Sequence, residues 1–232
     1  MAKRRRTSGI QRRERASAEA LNRRLDQGSA AALPDWRLLL IGGVLVVGVL
    51  ILVLVLLLGG GPAENVGIQQ PNDGGAHVSP GVDCRDPAQQ NASTNCGTDP
   101  YSSLPATSGP HWDPSGIANW GVYSTPQPET QLIHNLEHGG IVIWYDPDAL
   151  DAASVGTLAN YVDQQTASGI SGRYKFILSP WGGSDPLPAP VVATAWRWNL
   201  GLDTADTDAI DEFARAHYGD APEPGGGPAP PG

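Results

Sequence analysis

Histidine is scarce in this 232-residue chain, five in all, and four of the five occupy settings where an imidazole has chemistry open to it. His134 and His138 stand four apart in LIHNLEHGG. On a helix that spacing turns both rings to one side, within reach of a single ion. His111 follows Gly109-Pro110 in TSGPHW, where a rigid turn aims its ring, and His77 lies in GGAHV at the start of the folded region. A tetrahedral or five-coordinate zinc or copper site needs three or four such nitrogens, or nitrogens plus a carboxylate. His111, His134 and His138 are the candidate ligands, with His77 or a carboxylate as the fourth; Glu137 or Glu129 would supply the oxygen.

Other chemistries compete for the same letters. His134, Glu137 and His138 spell H-x-x-E-H, the inverted zinc-peptidase signature in which the glutamate activates a water. That chemistry needs a long helix and a substrate cleft, whereas Gly139-Gly140 ends the helix at the second histidine. Glu137 is a catalytic candidate only under this hydrolase reading. A His pair four apart also arises without any ligand role, and a non-catalytic interaction module of an envelope complex, its histidines merely ordering loops, is the alternative. His217 belongs to the apolar stripe of a terminal helix and is expected to cap or pack. The chain has no Gly-rich phosphate loop and no G-x-S-x-G elbow, and adjacent acids such as Asp211-Glu212 face different directions on a helix. Asn91-Ala92-Ser93 fits a glycosylation sequon, a match too short to carry weight.

The elements that must position these residues are legible in part. Leu132 to His138 suits two helical turns stopped by glycine, and Ile141 to Tyr145 follows as a β-branched and aromatic strand. Asp148 to Thr166 places Val155, Leu158, Ala159 and Val162 on one helical face. Tyr174 to Leu178 and Val191 to Trp196 read as strands, and Asp206 to His217 as a closing helix capped by Asp206 or Thr207. The layout is α+β: a small sheet with helices packed on one face and a long irregular lead-in from 77 to 130. Trp112 and Trp120 flank the His111 loop and are placed to wall a pocket, while Trp144 and Trp196 lie in strands.

Leu38 to Leu58 is a charge-free run of 21 residues. At 1.5 Å per residue it measures roughly 30 Å, enough to cross a bilayer core. Residues 1–37 carry ten Lys or Arg against four acids, which places the amino terminus in the cytoplasm and the rest outside the plasma membrane. The expected organisation is a basic tail (1–37), a transmembrane helix (38–58), a flexible linker (59–75), an extracytoplasmic α+β domain (76–219) and a disordered Pro/Gly tail (220–232). Beyond the apolar run, five basic residues face twenty acidic ones, a balance that repels nucleic acid and attracts cations. The only cysteines, Cys84 and Cys96, lie on the outer side, where a lone pair outside any C-x-x-C motif is expected to form a disulfide closing a surface loop.

The strings YSSLPATSGPHW, GVYSTPQPETQLIHNLEHGGIVIWY, VVATAWRWNL and DEFARAHYGDAPE resemble the bacterial family catalogued as domain of unknown function 3105, over roughly residues 75–223. The resemblance implies a domain tethered by one amino-terminal transmembrane helix and singles out the TSGPH and H-x-L-E-H-G stretches, hence His111, His134, Glu137 and His138. It implies no activity. This chain departs from the pattern by inserting the Cys84 to Cys96 loop, and by carrying Ala195-Trp196-Arg197 where the family has Ala-Trp-Gly.

Overall fold

The computed structural model describes residues 66–168 and 172–231. The basic tail, the apolar run 38–58 and the first part of the expected linker, 59–65, lie outside these residues. Among the described residues no helix is long and apolar enough to cross a membrane.

Along the chain the elements are β1 (Ile68–Gln69), β2 (His77–Val78), β3 (His111–Trp112), β4 (Gly121–Val122), α1 (Glu129–Glu137), β5 (Ile141–Tyr145), α2 (Ala152–Ser168), β6 (Phe176–Pro180), β7 (Val191–Ala195), β8 (Trp198–Leu202) and α3 (Thr207–His217). Six strands form one mixed sheet in the order β1-β8-β7-β5-β6-β4. At its centre β5 runs parallel to β6 and antiparallel to β7, with Val142 opposite both Ile177 and Thr194. The parallel pair is joined by the α2 crossover that such a connection requires. The expected α+β class, with a sheet and helices, is what the chain adopts.

The sheet is covered on both sides, not one. Ile141, Ile143 and Tyr145 turn towards Leu158 and Val162 of α2 and Ile210 and Phe213 of α3, whereas Val142 and Trp144 turn towards Leu132, Ile133 and Leu136 of α1. Every residue of β5, β6 and β7 is therefore buried, and these strands are mostly apolar, broken only by Ser179 and Thr194, where a one-sided sheet would alternate. Helix α1, which carries the paired histidines, is thus clamped against the sheet by its apolar side.

Beside the main sheet, β2 and β3 form a two-residue parallel pair in which His77 lies opposite His111. Val78 packs on the Cys84–Cys96 disulfide, with Val82, Tyr101 and Trp112 around it. The Asn95 side chain, within the loop, donates to His77 O at 3.2 Å. The bridge spans a sequence separation of 12, and both cysteines are buried. Closing a loop of that length restricts the unfolded chain by about 3 kcal/mol. Replacing both cysteines by alanine is expected to lower the free energy of denaturant unfolding by about that amount; a loss below about 1 kcal/mol would mean that the loop is not what restrains the unfolded chain.

Two segments expected to be unstructured are built into the fold. Part of the 59–75 linker forms β1, with Ile68 opposite Asn199, and continues through Gln70 N–H to Arg197 O and Gly109 N–H to Gly74 O. The 220–232 tail is held by Glu223 N–H to Glu137 O, and Trp120 Nε1–H donates to Pro228 O. Composition predicts that these segments bury little, and none of their described residues is buried. Their order comes instead from hydrogen bonds to partners distant in sequence. Strand β8 also went unread, because the turn before it lacks its usual residue: Arg197 holds φ +64°, the left-handed region that glycine enters without strain. Hydrogen bonds fix it on both sides, Arg197 N–H to Thr107 O and Gln70 N–H to Arg197 O.

Candidate metal centre

Three elements bring the histidines together. The β2–β3 register sets His77 beside His111, and α1 lies across β3 so that His134 meets both. One nitrogen from each of His77, His111 and His134 lies within 4.8 Å of the others. Ring centroids are 4.9 Å apart for His77 and His111, 5.0 Å for His111 and His134, and 5.4 Å for His77 and His134.

The two remaining candidates flank this triad. His138, one helical turn beyond His134, brings its Nε2 to 3.0 Å from His134 Nε2. Glu137 Oε2 stands 3.0 Å from His111 Nε2 and 3.8 Å from His77 Nε2. Glu129, the other candidate oxygen, is not part of the site: it opens α1 and is committed to Arg85 and to Ala106 N–H. His217 lies apart, stacked on Trp198 and donating from Nε2 to Val66 O, the packing role expected of it.

What the rings touch on their far sides determines what they offer to the centre. His111 Nδ1 faces Gly109 O at 2.9 Å, His134 Nδ1 faces Trp112 O, and His138 Nδ1 faces Glu223 O at 2.9 Å. A carbonyl oxygen only accepts, so each Nδ1 carries the proton and each neutral ring presents an Nε2 lone pair inwards. In neutral rings, the lone pairs of His134 and His138 therefore point at one another, and that of His111 points at a carboxylate. Acceptor facing acceptor at 3.0 Å is repulsive unless a proton or a metal cation lies between. Two donors held about 2.1 Å from one ion are about 3.4 Å apart in a tetrahedron and about 3.0 Å at a right angle, so both close contacts suit shared ligation.

Burial disfavours the proton solution. It pushes the His134 imidazole below its ordinary range, with the neighbouring His111 and His138 acting in the same direction against the Trp112 carbonyl and Glu137. Burial acts to raise Glu137; what lowers its carboxyl below the ordinary range is a protonated His111, through its hydrogen bond and charge, with His134 and His77 behind it, an influence that the neutral ring does not supply and that a cation between the two groups would replace. His111 is wholly buried and His134 nearly so, while the His77 side chain is 45 % exposed. Among the described residues no hydrogen bond holds the His77 ring, whose Nε2 stands 3.8 Å from Glu137 Oε2.

The family description "Protein of unknown function (DUF3105)" matches residues 93–229. The chain belongs to that family. The match takes in His111, the whole of α1 and the carboxy-terminal segment that touches His138, and it begins after His77. No curated protein and no solved structure matches the chain. Within this DUF3105 domain the sequence left three carbonyls unread, Gly109, Trp112 and Glu223, because a backbone oxygen carries no residue-type signal. Trp112 lines a cavity, as expected, beside Arg85, Pro128 and Trp181, and also supplies its carbonyl to His134, whereas Trp120 is buried under Gly140, where an added Cβ would meet its ring at 2.5 Å.

Proposed function

We propose that this protein is a membrane-anchored, extracytoplasmic binder of a transition metal, held by His77, His111 and His134 together with His138 and Glu137. The observation that carries the reading is the inward-facing acceptor cluster, above all His134 Nε2 and His138 Nε2 at 3.0 Å with both Nδ1 atoms committed to carbonyls. Zinc or copper(II) suits imidazole and carboxylate; soft thiolate or thioether ligation is not on offer, since both cysteines form the disulfide and the single methionine is residue 1. The anchor is the apolar run 38–58, with the basic tail inside. An exposed His77 edge beside buried ligands suits exchange of the ion with a partner in the cell envelope.

The test is metal content by plasma mass spectrometry on the full chain in detergent, purified without a histidine tag and reconstituted with zinc or copper(II). One ion per chain is expected. None after reconstitution leaves the interaction module as the better account.

The hydrolase reading assigns Glu137 as general base, and Glu137→Gln separates it from ligation. With its carboxylate oxygen 3.0 Å from a candidate ligand nitrogen, Glu137 stands where a ligand stands. Glu137→Gln is expected to weaken metal affinity by on the order of 10–100-fold. Parent-like affinity together with loss of a hydrolytic activity seen in the parent would assign the base role instead.

A further inference from the structure

The acidic, Pro/Gly-rich end of the chain lies on the site. After α3, Gly219 N–H donates to Gly139 O, which brings the chain back across the helix exit, and Glu223 N–H donates to Glu137 O. Glu223 O accepts the hydrogen bond from His138 Nδ1, and the backbone of Gly226 closes against the same ring. A Cβ at Gly226 would lie 2.2 Å from both Cε1 and Nδ1 of His138, so only glycine allows this approach.

The segment is pinned from beneath. Lys175, buried at the start of β6, donates its Nζ to His138 O at 2.8 Å, Pro224 O at 2.7 Å and Gly226 O at 2.8 Å. One ammonium thus spends its three protons joining the end of the metal helix to the crossing segment. Trp120 Nε1–H to Pro228 O, 2.9 Å, fixes the far end. A merely adherent tail would not need a buried cation in contact with the carbonyl of a candidate ligand residue.

We propose that residues 219–228 are a positioning strap of the metal site, with Lys175 as its anchor: they set the tautomer and ring plane of His138 so that its Nε2 joins His134 on the ion. The inference rests on the metal-binding reading above and goes beyond it in assigning a role to residues that touch no ion. Without the strap, His138 Nδ1 loses its acceptor and the ring is free to turn away. The shell then shrinks by one nitrogen while His77, His111 and His134 stay in place.

Full-length chain in detergent is compared with Gly226→Ala, Lys175→Met, His138→Ala and the double variant Gly226→Ala/His138→Ala, with copper(II) as the probe. Affinity is read by competition with a chelator and nitrogen count by electron paramagnetic resonance. Gly226→Ala is expected to lose on the order of 10–100-fold in affinity and to show the His138→Ala spectrum. Lys175→Met is expected to do the same, and the double variant to be no weaker than His138→Ala alone. Parent-like affinity and spectrum in Gly226→Ala, or losses that add in the double variant, would overturn the strap. A parent that binds no ion fails differently, removing the metal reading before any variant is compared.

Discussion

A His134→Ala chain is expected to carry no zinc or copper(II) at ion concentrations that saturate the parent, with affinity reduced on the order of 100-fold or more, beyond what loss of an outer-shell partner costs. The size of the effect follows from position. His134 lies within 4.8 Å of His77 and His111 on one side and 3.0 Å from His138 on the other, so its loss parts the two halves of the cluster. The substitution also strands the Trp112 carbonyl, at a cost of about 1–3 kcal/mol to folding, which must be told apart from lost ligation. His134→Gln keeps a side-chain donor for that carbonyl but no imidazole lone pair. It is expected to recover much of the unfolding midpoint and none of the metal, by thermal unfolding and equilibrium dialysis of the same preparations. Stoichiometric, parent-like binding by either variant would remove His134 from the site and leave the close Nε2 pair with no bridging ion to relieve it.

How far all this could be read from residues alone varies with the physics involved. Strand β5 was legible residue for residue, because Ile141 to Tyr145 is an unbroken β-branched and aromatic run and only a doubly buried strand tolerates one. Helix α1 was legible in its second half; its first turn, Glu129 to Gln131, is polar and starts after Pro128 with no side-chain cap, so nothing local announced it. The i, i+4 spacing of His134 and His138 correctly indicated a shared side. What brought His77 and His111 to the same point was a two-residue parallel pairing between segments 34 positions apart, a register that no periodicity encodes. The strap was misread for a related reason. Proline and glycine forecast a segment without a core of its own, yet the absence of a side chain at Gly226 is what lets the backbone lie against His138 while the Pro224 and Gly226 carbonyls meet Lys175. Residue type located the chemistry, but the partners that orient it are backbone atoms.

The largest stability effect is expected away from the histidines, at the opposite end of α1. Glu129 accepts Arg85 through both carboxylate oxygens, and Ala106 N–H as well, with its side chain only 8 % exposed; Arg85 also reaches Ser103 O and lies over the Tyr101 ring. This pair ties the disulfide loop to the helix that carries the candidate ligands, so its rupture reaches the proposed site indirectly. Arg85→Met leaves a buried carboxylate without its counter-charge, and removing one partner of such a pair costs about 3–5 kcal/mol. Because Arg85 is itself 26 % exposed, the lower end of that range is expected. The double variant Arg85→Met/Glu129→Met is expected to recover most of the loss, since the desolvation penalty disappears with the charge. The acid dependence has a definite sign. Burial pushes the Glu129 carboxyl above its ordinary range even with Arg85 beside it, and without the guanidinium it rises further. A raised folded-state pKa stabilises most below the unfolded carboxyl value and loses that contribution as pH climbs through the folded one. Arg85→Met should therefore lie nearest the parent in denaturant unfolding below about pH 4 and fall away from it towards neutrality. A penalty constant across that range would mean that Glu129 is not the group left uncompensated, and that the loss of stability comes from the Ser103 and Tyr101 contacts.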